Sequence, residues 1–202
     1  MTSTEPLLVG AVAYSANVVP IWEGIRDYFR SSGAEMDFVL FSNYGRQVDA
    51  LLAGTIDIAW NTNLAWARTV AQTDGACRAL AMRDTGRSEL DALRAVLEER
   101  ADAAAIGINT WEAIGRGELM PGAFEVFWAS PTYSHCNFTA LPRLPAERVQ
   151  PWVEHLLAMD WDNQDHRPVL EMEGLRRWVL PPLDGYTSLF EAIHEQKIPS
   201  HW

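Results

Sequence analysis

Leu7-Leu8-Val9-Gly10-Ala11-Val12-Ala13 is an unbroken apolar run, the pattern of a strand covered on both faces. Beyond it, Val18, Ile21, Trp22, Ile25, Tyr28 and Phe29 recur at helical spacing, which predicts an amphipathic helix. Asn17 stands at its cap position with Pro20 in the first turn, and Ser31-Ser32-Gly33 closes it. The same alternation continues: a strand over Met36–Phe41, a helix over Gln47–Ala53 stopped by Gly54, a strand over Ile56–Trp60, and a helix over Leu64–Ala71. Cys77–Met82 reads as a fourth strand. Strands alternating with helices predict an α/β fold, a mostly parallel sheet with helices on its faces.

Farther along, the pattern thins. Ser88 caps a helix carrying Leu90, Leu93 and Leu97 on one face. Ala103–Ile108 and Phe124–Trp128 read as strands flanking a short helix at Trp111–Ile114. Ser134–Leu141 is strand-like, and helices are expected over Pro145–Met159, Gln164–Trp178 and Tyr186–Glu195. Trp22, Trp152 and Trp178 fall on apolar stripes and belong to the core. Trp60, next to Asn61, fits either a core position or a pocket wall, the core being the commoner use.

The chain has 202 residues, 48% of them apolar, enough to bury a core and to exclude disorder as the dominant state. Sixteen Lys and Arg stand against 27 Asp and Glu, a net charge of −11. No basic face for nucleic acid is expected, and any bound anion must be held by local donors. Cys77 and Cys136 are too few for a disulfide scaffold. His135, His155, His166, His194 and His201 form no HxxxH or HxH pair, so neither a metal nor a cofactor is expected. Asp160, Asp162 and Asp165 suit helix capping better than cation binding. No Lys or Arg precedes the first apolar run, which is too short to span a membrane, so a cytosolic protein is expected.

In open α/β sheets, ligands bind beyond the carboxyl ends of the strands. Three loops qualify: Tyr14-Ser15-Ala16-Asn17, Ser42-Asn43-Tyr44-Gly45-Arg46 and Asn61-Thr62-Asn63. All are rich in neutral donors, and helix N-termini add free N–H groups suited to a small polar or anionic solute. Asn17 and Asn61–Asn63 each also suit plain helix capping. Asp57 is expected to hold backbone.

Gly10-Ala11-Val12-Ala13-Tyr14, the stretch from Gly45 to Asn61 ending in Gly54-Thr55-Ile56-Asp57-Ile58-Ala59-Trp60-Asn61, Ala81-Met82-Arg83-Asp84, Pro131–Thr139 and Glu173-Gly174-Leu175 together resemble the phosphate/phosphite/phosphonate substrate-binding proteins of ABC importers. The resemblance covers most of the chain. It implies the type 2 periplasmic-binding-protein fold, with two lobes and a small oxyanion, phosphonate- or phosphate-like, clamped between them. It implies residues 1–85 plus 131–202 as the first lobe with its closing helices, and 86–130 as a second lobe. Tyr14, Asn61 and Tyr133 are the pocket residues it implies most directly, with Asn109 and Trp111 reaching from the second lobe. With the rim loops, the candidate ligand residues are Tyr14, Ser15, Asn43, Asn61, Thr62, Asn63, Asn109, Tyr133 and His135. The resemblance further implies an ABC permease as partner and a periplasmic or cell-surface location, against the cytosolic reading of the N-terminus.

One departure stands out. Family members open the second lobe with a strand and a Ser/Thr/Gly-rich turn that cradles the anion. Here Arg83-Asp84-Thr85-Gly86-Arg87 runs directly into the helix at Ser88, so part of that lobe is missing. A unit of about 40 residues buries too little surface to stand alone. It must lean on the first lobe or on another copy, which makes a homo-oligomer one competing outcome. The other is an enzyme that reuses the cleft, with Cys136 or His135 acting on a small acid. On a strand those neighbours point to opposite faces, which sets His135 beside Asn137 and sends Cys136 toward the core.

Overall fold

The computed structural model describes residues 5–84, 90–117 and 122–198. Its centre is a six-stranded sheet, β1 (Leu7–Val12), β2 (Met36–Phe41), β3 (Ile58–Asn61), β4 (Arg78–Arg83), β5 (Asn137–Ala140) and β6 (Trp178–Val179), in the order β2-β1-β3-β5-β4-β6. β1 pairs in parallel with β2 from Leu7↔Met36 to Val12↔Phe41, and with β3 through Val9↔Ile58. β5 then enters antiparallel between β3 and β4, and β6 is antiparallel to β4. The sheet is thus mixed. β1 to β4 all run one way, as the βα alternation predicts, and β5 arrives from the opposite end.

The described residues also form eight helices: α1 (Val18–Ser32), α2 (Tyr44–Ala53), α3 (Asn63–Gln72), α4 (Leu90–Leu97), α5 (Ile108–Gly115), α6 (Ala146–Leu157), α7 (Arg167–Glu173) and α8 (Thr187–Glu195), the last preceded by a 3-10 turn at Leu183–Tyr186. Gly33 and Gly54 end α1 and α2 in the left-handed conformation, which a residue without Cβ adopts freely. Asn17 occupies the cap position of α1 but makes no side-chain capping bond; its backbone is already helical, so its side chain cannot reach back to the first turn.

The larger core lies on the α1/α6/α7 face. Trp60 and Phe138, cross-strand neighbours on β3 and β5, sit 4.6 Å apart, and Trp152 of α6 stacks on Phe29 at 5.3 Å. Trp22, Trp60, Trp152 and Trp178 are all buried there, so Trp60 is a core residue and not a pocket wall. Leu51, Ile56, Ala59 and Leu141 form a smaller cluster on the other face. Asp57 fastens β1 as expected: the Leu8 N–H donates to Asp57 Oδ2 at 2.9 Å.

The expected strands at Ala103–Ile108 and Phe124–Trp128 do not form. Residues 101–107 are irregular, and α5 begins at Ile108. Residues 123–133 are also irregular and largely exposed, Phe127 at 82%. An apolar run becomes a strand only where a neighbour takes its N–H and C=O groups, and no described strand lies beside either run. The helix start at Ser88 and the Thr85-Gly86 turn lie outside the described residues. No helix among the described residues is long and apolar enough to cross a membrane.

Candidate functional site at the carboxyl-terminal rim of the sheet

The ends of β1, β3 and β4 and the beginnings of β5 and β6 share one edge, a consequence of the strand directions. That edge carries Tyr14 after β1, Asn61-Thr62-Asn63 at the end of β3, Arg83 at the end of β4 and Ser134-His135-Cys136 leading into β5.

Beneath the rim, polar side chains on one face of β3 and β5 form a continuous buried relay. Gln47 Nε2 donates to Asn61 Oδ1 at 2.8 Å, and Asn61 Nδ2 donates to Thr139 Oγ1 at 2.9 Å. The Thr139 hydroxyl donates to Asn137 Oδ1 at 2.7 Å, Asn137 Nδ2 to the Tyr186 oxygen at 2.9 Å, and the Tyr186 hydroxyl to the His135 carbonyl at 2.7 Å. Every donor points the same way along this chain, so each bond polarises the next. Asn61 is completely buried. It therefore supports the rim from below and presents no side chain to a ligand, contrary to the expectation that it lines the pocket.

Three further anchors fix the segment before β5. Asn63 Nδ2 donates to the Ser134 carbonyl at 3.0 Å. The Ser134 N–H and hydroxyl donate to the carbonyls of Gly185 and Pro182 at 2.8 and 2.7 Å. A Cβ at position 185 would fall on Ser134 Oγ, so the close approach requires glycine. Asn43 caps α2, accepting from the Arg46 N–H at 2.9 Å, and Thr62 caps α3 more loosely, accepting from Ala65 N–H at 3.4 Å. Thr62 serves the capping role that the sequence offered as the plainer alternative, and Asn43, read from the sequence only as a ligand candidate, caps α2 as well.

His135 carries the rim's main charge contact. Its Nδ1 accepts from Arg83 Nε at 3.2 Å and from the Cys136 N–H at 2.7 Å. With Nδ1 accepting twice, the ring proton is assigned to Nε2. Burial, reinforced by the Arg83 guanidinium, pushes His135 down to about 4, so the ring is neutral near pH 7. Arg83 has no carboxylate within ion-pair distance among the described residues. Glu173, the last residue of α7, lies within range of the Arg83 charge. Burial pushes its carboxyl up to about 7, with Arg83 pulling against that rise. Tyr14 and Tyr44 feel both charges, and burial raises Tyr44 to about 12.

Tyr14 and Tyr133 are exposed at 66% and 57%, and Ser15 is exposed beside Tyr14. The Tyr133 ring lies 6.5 Å from that of His135. Asn109 stands near the start of α5, its side chain outside the described residues, and Trp111 follows on the same helix. Cys136 does not pair with the imidazole: His135 Nδ1 is taken by Arg83 and by the Cys136 backbone. Burial raises the Cys136 thiol, with Arg83 opposing and Glu173 adding to the rise, so the thiolate needed for nucleophilic attack is suppressed. Among the described residues, no group of His, Cys, Asp and Glu could hold a metal ion.

Arg83, Glu173, Gln47 and Tyr186 were not among the residues singled out as site candidates from the sequence. A legible signal did exist for the relay: Asn61, Asn137 and Thr139 interrupt otherwise apolar strands on one side-chain parity. Arg83 and Glu173 lie 90 positions apart, and only the β4–β6 pairing, Arg83↔Trp178, brings their segments together.

Several solved structures share this fold. One is PhnD1 from Prochlorococcus marinus (MIT 9301) in complex with methylphosphonate, with 14% identity, 95% of this chain and 98% of that chain covered, and a TM-score of 0.66. A binding protein component of an ABC phosphonate transporter from Pseudomonas aeruginosa is 12% identical, with 95% of each chain covered and a TM-score of 0.55. The periplasmic aliphatic sulphonate binding protein SsuA from Escherichia coli is 10% identical, with 97% and 94% covered and a TM-score of 0.55. These likenesses show the type 2 periplasmic-binding-protein fold. No curated protein matches the sequence. A family model for the periplasmic substrate-binding protein of phosphonate ABC transporters matches residues 84–186, just over half of the chain. That description is of periplasmic proteins, so it supports the periplasmic expectation and not the cytosolic one. The chain belongs to the phosphonate-binding family of ABC-transporter periplasmic substrate-binding proteins.

Proposed function

We propose that this chain binds a phosphonate-like oxyanion at the carboxyl-terminal rim of its sheet, between residues 1–85 plus 131–202 as one lobe and 86–130 as a reduced second lobe. The observation that carries the reading is Arg83. In a chain of net charge −11, its guanidinium stands at the rim with a neutral imidazole at 3.2 Å and no carboxylate in ion-pair range among the described residues. A guanidinium presents a planar fork of N–H donors that fits an oxyanion in two-point fashion.

Tyr14, Ser15 and Tyr133 contribute exposed hydroxyls around it, and His135 holds Arg83 in place through Nδ1. Asn43, Asn61, Thr62 and Asn63 act indirectly, by fixing the loops on which those groups sit. From residues 86–130, Asn109 is the ligand residue that the family resemblance puts forward. No bond is made or broken. The ligand stabilises a closed form because it touches both lobes, and only that differential contact can shift the equilibrium. The loaded, closed form is what an ABC permease receives.

The test is isothermal titration calorimetry of the full chain with methylphosphonate, inorganic phosphate and methanesulfonate, repeated on Arg83→Ala. Saturable binding of at least one anion, weakened about tenfold or more in R83A, supports the reading, since a charge-assisted contact contributes on the order of 1.5–3 kcal/mol. Absence of binding by every anion, or equal binding in R83A, overturns it.

A further inference from the structure

Glu173 is brought to the rim by a backbone device. Gly174 ends α7 in the left-handed conformation, φ 74°, and turns the chain into the segment that pairs with β4 at Arg83↔Trp178. The carboxyl group is partly buried, and it takes part in no hydrogen bond or ion pair among the described residues. The titratable and charged groups within electrostatic range of it are Arg83 from β4, Tyr14 from the β1–α1 loop, Tyr44 from the start of α2 and Cys136 from the approach to β5. α1 packs against α7 at Gly24, which meets Val169 and Met172; among the described residues, the charge that acts on the Glu173 carboxyl is that of Arg83 and not Glu23, Arg26 or Asp27 of α1. The neighbouring cations are engaged elsewhere, Arg177 with Asp84 at 3.7 Å and Arg176 over the Trp161 ring at 5.1 Å.

An oxyanion drawn to Arg83 therefore binds within electrostatic range of a carboxyl group. If that group is ionised, it repels an oxygen that carries only lone pairs, and it accepts a hydrogen bond from an oxygen that still carries a proton. If it is neutral, its own O–H donates to either kind of anion.

The geometry points to Glu173 as the residue that sets ligand selectivity: it favours oxyanions retaining an acidic O–H, such as the phosphonate monoanion, and admits sulfonates, which have none, only together with a proton. The inference rests on the reading of this rim as an anion site. The raised carboxyl, at about 7, puts the exchange near neutrality. His135, down at about 4, titrates well below it.

Calorimetry with methanesulfonate as the probe reads this directly, because its charge does not change with pH. In the native chain its Kd should rise about tenfold or more between about pH 5.5 and about pH 8.5, since one pKa unit of coupling is a factor of ten. In Glu173→Gln the same series should be flat within about twofold. Binding near pH 7 should take up protons, seen as a buffer-dependent heat, a readout that needs no variant. Methylphosphonate should be preferred over methanesulfonate at pH 7, and that preference should shrink in E173Q. Sulfonate binding that is independent of pH in the native chain, or an equal slope in E173Q, overturns the role of Glu173 and leaves the anion site standing. No binding by either anion at any pH overturns both.

Discussion

The Tyr186 hydroxyl donates to the His135 carbonyl at 2.7 Å while accepting from Asn137 Nδ2 at 2.9 Å. One phenol thus joins the C-terminal turn to the segment that holds Arg83's imidazole partner. It is also the last link of the relay that starts at Gln47.

Tyr186→Phe should remove both bonds at once and leave two buried polar groups without partners. An unsatisfied buried donor or acceptor costs about 1–3 kcal/mol, so the urea midpoint should fall with an unchanged m-value. Because the lost bond also releases His135, anion affinity should weaken alongside stability.

Gly185→Ala should destabilise the fold by about 1–3 kcal/mol, the usual cost of overpacking. Its new methyl meets Ser134 Oγ and comes within 3.1 Å of Ser134 N, both held by bonds to the turn. Gly115→Ala is the control: nothing lies within 4 Å of a Cβ there, and a helical glycine replaced by alanine gains about 0.5–1 kcal/mol. Thermal melts of the two variants should move in opposite directions.

Two rim groups give opposite pH dependences of stability. Glu173 rises from 4.5 in the unfolded chain to about 7, so the native state binds more protons and stability falls as pH rises through that window. His135 drops from 6.5 to about 4, so the native state binds fewer protons and stability is lost as pH falls through that window. The two effects offset each other between about pH 4.5 and 6.5. Glu173→Gln should unmask the histidine, giving a chain whose stability climbs from pH 4 to 6.5 and then holds level, and which is more stable than the native chain above pH 7. Denaturant titrations across this range would show it; a native profile that climbs as steeply as that of E173Q would contradict the assignment.

Cys136 should react slowly with a small alkylating agent at pH 8 in the folded chain and rapidly in urea, because burial holds its thiol protonated. Peptide mass mapping would report the rate. Prompt native-state labelling would return Cys136 to contention as a nucleophile.

The local pattern of the chain carried β1 to β4 and the helices after them, because burial on both faces writes a strand as an unbroken apolar run and burial of one stripe writes a helix at 3.6-residue spacing. It carried the family resemblance too, through motifs whose residues are contiguous. It misled at Ala103–Ile108 and Phe124–Trp128, where apolar residues have no neighbouring strand to pair with. It could not show that β5 enters antiparallel between β3 and β4, which aligns Asn61 with Asn137 and converts an expected ligand contact into a buried strut. Nor could it bring Arg83 to His135 and within range of Glu173. Those relationships join segments 52 and 90 residues apart. Strand pairing settles such distances, because a charge feels its neighbours through space and the sequence records only neighbours along the chain.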